Sequence, residues 1–106
     1  MMVVLFEFEV REGQADAYFG LAETLRAELD QVDGFISVER FESRTTEGKF
    51  LSLSLWRDEA AVRAWREAAG HRKGQIMGRN DILSGYHIRV AEVVRDYSFG
   101  GMTSAT

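Results

Sequence analysis

The chain has 106 residues, enough for one domain of ordinary size, and carries 17 acidic against 13 basic side chains for a formal charge of −4. With 45% hydrophobic and 11% aromatic residues it is globular rather than disordered. No basic stripe gathers along it, which excludes a nucleic-acid backbone as a partner, and the absence of cysteine excludes disulfides and thiolate metal sites.

"MVVLFEFEV" alternates, with Val4, Phe6, Phe8 and Val10 on one side and Val3, Leu5, Glu7 and Glu9 on the other. That period of two predicts a strand over about residues 2–10. There is no basic leader, and Glu7 and Glu9 interrupt the apolar run, so the segment reads as neither a signal peptide nor a membrane span. The expectation is a soluble, cytoplasmic protein. After the turn "REGQ" the period changes: Tyr18, Leu21, Ala22, Leu25, Leu29 and Val32 recur at three- and four-residue steps. This predicts an amphipathic helix over 14–32, with Gly34 as its terminator.

"GFISVERFES" (34–43) and "KFLSLSLWRD" (49–58) predict two strands joined by the polar loop "RTTEG" as an antiparallel hairpin. Ser52 and Ser54 are small hydroxyls framed by Phe50 and Trp56, with no His–Asp partners to make a serine hydrolase. Asp58 is placed to cap a helix over 59–69, whose inner side is Ala61, Val62, Trp65 and Ala69. Gly70 is expected to break that helix, and residues 72–83 to form a weaker helical piece. "GYHIRVAEVVRDYS" predicts a fourth strand, followed by a flexible tail at 99–106 after a domain at 1–98.

The order β-α-β-β-α-β is that of an α+β, ferredoxin-like fold: a four-stranded antiparallel sheet with both helices on one face. Helices cover only one face, yet both faces of the first strand are apolar. The expectation is a homodimer whose sheets stack face to face, ~10 Å apart.

Three stretches, "GFISVERFES", "LSLWRDEAAVRAW" and "HRKGQIMGRNDILSGYHIRVAEVVRDYS", together with the element order, make the chain resemble the antibiotic biosynthesis monooxygenase (ABM) superfamily of dimeric α+β barrels. The resemblance spans almost the whole chain. It implies a monooxygenase, cofactor-free, acting on a planar aromatic such as a quinol or polyketide. The heme-degrading branch offers a second reading, in which His71 ligates iron and Trp65 packs near the ring. In that branch a strand-one Asn hydrogen-bonds the distal side. Its position falls near Phe6 here, and this strand has no Asn. A non-catalytic dimeric ligand-binding module is the third reading.

The candidate residues follow. His71 is the candidate base, because a neutral imidazole takes a proton near neutral pH. Its bland alternative is a helix-terminal cap. Trp65 and Phe6 are candidate substrate contacts, although Trp65 is most simply core. Arg79, in "GRND", is a candidate partner for an anionic group, or a surface ion pair. Trp56 and His87 read as structural. His71 is expected at the wall or mouth of a pocket, because a break at Gly70 would swing it back from the outer side of the helix.

Overall fold

The chain folds as β1 (Met2–Val10), α1 (Ala15–Leu29), β2 (Phe35–Glu42), β3 (Lys49–Trp56), α2 (Glu59–Ile76) and β4 (Leu83–Glu92). The computed structural model describes residues 1–76 and 82–102, and only the backbone for residues 68–76. The four strands form one antiparallel sheet in the order β2-β3-β1-β4, the ferredoxin-like arrangement expected from the sequence. β1 is central because both of its faces are apolar and both of its edges are paired.

The register settles which alternating set is inward. Val4 pairs with Ser54 and Val90, Phe6 with Ser52 and Ile88, and Phe8 with Phe50 and Tyr86. The helices lie on this side. Phe8, 1% exposed, packs with Tyr18 and Ala22 of α1 and with Leu83. Trp56, 2% exposed, packs with Ala61 and Val62 of α2. Each of these large side chains contributes on the order of 1.5–3 kcal/mol by leaving water. The buried indole stays satisfied, since Trp56 Nε1 donates to Ser54 Oγ at 2.9 Å.

The connections depend on local chemistry that the sequence announces. Ser43 Oγ accepts from the backbone N–H groups of Thr45 and Thr46 and closes the β2–β3 loop. Asp58 caps α2, with Ala61 N–H donating to its Oδ1 at 2.9 Å. That bond, followed by the Arg57 guanidinium, holds the Asp58 carboxyl below the usual carboxylate range. Arg57 also pairs with Asp33, whose carboxyl it lowers. Gly34 lies between these charges with φ +91°, and a Cβ built on it would stand 2.5 Å from Ala61 Cβ. Only glycine fits there, on both counts.

Two elements differ from expectation. α2 is one continuous helix through Gly70, where a break was predicted. Each of its two glycines, Gly70 and Gly74, lowers helix stability by only ~1 kcal/mol relative to alanine, which an 18-residue helix docked along its first half absorbs. β4 ends at Glu92 instead of running to Ser98. Glu92 pairs with Met2, and the ladder closes with one more bond, from Val93 N–H to the Met1 carbonyl.

The outer face of the sheet carries Val3, Leu5, Leu51, Leu53 and Leu55, with no helix over it. Within this apolar face Glu7 accepts from Arg89 Nη1 and lies 3.4 Å from Lys49 Nζ. The hydrogen bond from Arg89, then that from Lys49, lowers the Glu7 carboxyl below its ordinary range. No described helix is long and apolar enough to cross a membrane.

Candidate functional site

A cavity of about 220 Å³ lies between the inner face of the sheet and the two helices. Its floor is built from cross-strand rows that the register fixes. One row runs Arg40, Ser52, Phe6, Ile88 from β2 to β4, and the next runs Val38, Ser54, Val4, Val90. Polar groups therefore fall on the β2–β3 side and apolar ones on the β1–β4 side. α1 supplies one wall through Tyr18, Leu25 and Leu29, residues at the helical spacing seen in the sequence, and through Arg26, which that spacing puts on the outer side. α2 supplies Val62, Trp65 and Arg66. The cavity opens along β4, where Tyr86, Ile88 and Val90 remain 40–49% exposed.

Aromatic rings stiffen this space. The ring centroid of Phe6 lies 5.0 Å from that of Phe8 and 5.7 Å from that of Tyr86, the latter edge-on. Tyr18 packs against Phe8 with ring centroids 4.6 Å apart and planes tilted by 35°, and burial raises its phenol pKa against the lowering effect of the nearby Arg40 guanidinium. A phenol so placed stays protonated at neutral pH and keeps its O–H as a donor. Trp65 is half-buried, packed against the Trp56 cluster on one side and facing the cavity on the other.

The sequence-named residues distribute unevenly. Phe6 and Trp65 lie on the cavity wall. Arg79 and the side chain of His71 lie outside the described residues. The helix break that would have turned His71 inward is absent, so that positional argument falls with it. His87 belongs to the outer face, opposite Glu7 across the β1–β4 pair. The reading from sequence missed Arg26, Arg40 and Arg66. Arg40 had a signal, since it alternates in step with Val38, but the inward set of β2 was not identifiable until the hairpin register was known. Among the described residues no group of three His, Asp or Glu side chains is placed to hold a metal ion.

A ferredoxin-like sheet with an aromatic-walled cavity beneath two helices defines a small α+β protein with a candidate ligand site between sheet and helices. Within that class the assignment is specific. Residues 1–75 match the antibiotic biosynthesis monooxygenase family, and the chain belongs to it. It is 43% identical over 93 residues to the jasmonate monooxygenase ABM of Pyricularia oryzae, covering 88% of this chain and 43% of that protein. It is 32% identical over 66 residues to the uncharacterized protein YqjZ of Bacillus subtilis, covering 62% of this chain and 56% of that one. The chain spans about half the length of these two relatives.

Solved structures share the fold. Rv0793 of Mycobacterium tuberculosis superposes with a TM-score of 0.75 at 18% identity, covering 92% of this chain and 98% of that one. SnoaB, a cofactor-independent oxygenase from Streptomyces nogalater, superposes with a TM-score of 0.74 at 14% identity, covering 90% and 94%.

Proposed function

We propose that the chain is a cofactor-free monooxygenase of a small ring compound, working as a cytoplasmic homodimer. The observation that carries this reading is the cavity: apolar and aromatic over most of its wall, with a few polar groups converging from one side. Its size narrows the substrate. At about 220 Å³ it lies between a benzene-binding cavity of ~150 Å³ and the ~300–1,000 Å³ of drug-sized sites. One or two rings, as in a quinol, suit it better than a four-ring polyketide or a porphyrin. The fungal relative, a monooxygenase of jasmonate, supports the reaction class, and the cofactor-independent SnoaB supports chemistry without a prosthetic group.

Such a reaction needs a substrate that is its own reductant. Removal of a proton from a quinol O–H or from an activated ring CH₂ leaves a delocalised carbanion that passes an electron to O₂. The radical pair joins as a peroxide at a carbon that still bears one hydrogen, the proton returns to give the hydroperoxide, and loss of water leaves a carbonyl, with one oxygen in the product and one in water. The protein then needs a base, a dry pocket and donors for the anion. His71 is the proposed base and Arg79 a proposed partner for negative charge, while Trp65 and Phe6 hold the ring. The apolar outer face of the sheet, uncovered by its own helices, is proposed to stack on that of a second copy.

Oxygen uptake with quinols and cyclic methylene substrates, measured on chelator-treated protein free of flavin and heme, tests the proposal. The expected result is one O₂ consumed per substrate, with KM raised in Trp65→Ala. Uptake that appears only after heme addition, alongside a 1:1 Soret spectrum abolished by His71→Ala, would refute the cofactor-free reading.

A further inference from the structure

The charge lining the cavity is opposite to that of the molecule. The chain is net −4, yet the cavity wall contains three arginines, Arg26, Arg40 and Arg66, and no acidic side chain among its described residues. One of the three is already engaged: Arg26 lies 3.3 Å from Asp30 Oδ1 and donates to the Val38 carbonyl at 3.3 Å. Arg40 and Arg66 are exposed at the cavity wall and have no carboxylate partner among the described residues, whereas Arg57, Arg63 and Arg89, also exposed, each have at least one.

Arg40 is also the best placed. Its register partner across the β2–β3 pair is Ser52, whose hydroxyl has no hydrogen-bond partner among the described residues. The Tyr18 hydroxyl is close enough for the Arg40 guanidinium to act on it. These donors stand at one end of a floor row that continues as Phe6 and Ile88. A ligand laid along that row meets cationic and hydroxyl donors at its β2 end and hydrocarbon at its β4 end.

We infer that the cavity selects an anionic amphiphile: a small molecule with an apolar ring or chain over Phe6 and Ile88 and a carboxylate held by Arg40 and Ser52, with Arg66 as a second cation at the rim. This rests on the proposal that the cavity is the substrate site, and adds the class of head group. The planar guanidinium fork matches the two oxygens of a carboxylate, and such charge-assisted pairs are about twice as strong as neutral hydrogen bonds. A substrate whose only acidic group is the reacting ring itself would leave Arg40 without an anionic partner and the Ser52 hydroxyl without a hydrogen bond.

The test uses phenylacetate through 5-phenylpentanoate with their matched methyl esters, and reads quenching of the two tryptophans, Trp56 and Trp65, which both line the cavity. Acids are expected to bind at least tenfold more tightly than their esters. Arg40→Gln should abolish that ratio while leaving ester affinity unchanged, and Arg40→Lys should restore part of it. Arg11→Gln, in the turn before α1 and outside the cavity, should leave the ratio intact. Equal binding of acid and ester by the native chain overturns the inference and leaves the cavity as a ligand site. A ratio that survives Arg40→Gln but is lost in Arg66→Gln overturns the assignment to Arg40. A matched phosphonate that binds more tightly than the carboxylate overturns the head-group class. Failure of every acid and every ester to bind refutes the cavity as the substrate site, and the inference with it.

Discussion

Gly34→Ala probes the tightest contact between the first βα unit and the helix that carries Trp65. The substitution acts twice. An L-residue held at φ +91° costs ~1–2 kcal/mol relative to glycine. The new methyl would also stand 2.5 Å from Ala61 Cβ, so the first turn of α2 must retreat, at a cost of ~1–3 kcal/mol for an overpacked site. The total is about 2–5 kcal/mol, or a fall of at least ~8 °C in a domain of this size. Urea denaturation followed by far-ultraviolet circular dichroism measures it. Ala61→Gly provides the control, because it removes the clashing atom without changing the backbone angle at residue 34. In that background Gly34→Ala should cost only the conformational part, giving a coupling of ~1–3 kcal/mol in the double-mutant cycle. A loss under ~1 kcal/mol for Gly34→Ala, or strict additivity with Ala61→Gly, would refute the close approach of α2 to this turn.

Trp56→Ala should cost ~3–5 kcal/mol and Trp65→Ala less, since the first indole is 2% exposed and the second only half-buried. Trp65→Phe should alter ligand affinity with stability nearly intact, and equal losses for the two alanine variants in thermal melts would contradict the burial pattern. Sedimentation at micromolar concentration should give about twice the 12.0 kDa chain mass, and Leu53→Asp on the outer face should yield monomer; a native monomer would sink the stacked-sheet proposal. Asp33, Asp58 and Glu7 all have lowered pKa values when folded, so their stabilisation is complete above their ordinary values of 3.8, 3.8 and 4.5 and is lost as pH falls below them. Urea midpoints should therefore drop between pH 5 and pH 3, and less so in Asp33→Asn, whose removal leaves one fewer carboxylate to protonate; an unchanged pH response would contradict the Arg57 pairing.

Much of the fold was legible because its signals are local. The alternation of Val4, Phe6 and Phe8, the helical spacing from Tyr18 to Leu29, the Asp58 cap and the polar hairpin loop each act within a few residues. What failed depended on distant partners. The run from Val93 to Ser98 has strand composition, but the β1–β4 ladder ends at the Met2–Glu92 pair, and composition does not encode that register. Gly70 looked like a stop because glycine is a poor helix former, yet the helix continues through it. The cavity arginines were missed for a related reason. Arg40 is one charge among thirteen until the β2–β3 register places it beside Ser52 and over the same floor as Phe6. Arg79 was singled out from "GRND" by the chemistry of an arginine alone, and it lies outside the described residues.

The strand order also governs how the chain reaches its fold during synthesis. β1 is made before β3 and β4, and it is the strand that both must find. Its contacts with β4 include that of Glu7 with Arg89, 82 positions along the chain. Until β4 leaves the ribosome, one edge of "MVVLFEFEV" has no native partner, and contacts so distant in sequence form slowly. Glu7 and Glu9 then have a task before the fold exists. They place like charges in the middle of a β-prone apolar run, where copies on neighbouring nascent chains would otherwise pair. In the finished sheet Glu7 is neutralised by Lys49 and Arg89, the second of which is delivered only with the last strand. The repulsion that guards the open edge is thus withdrawn at the step that closes it.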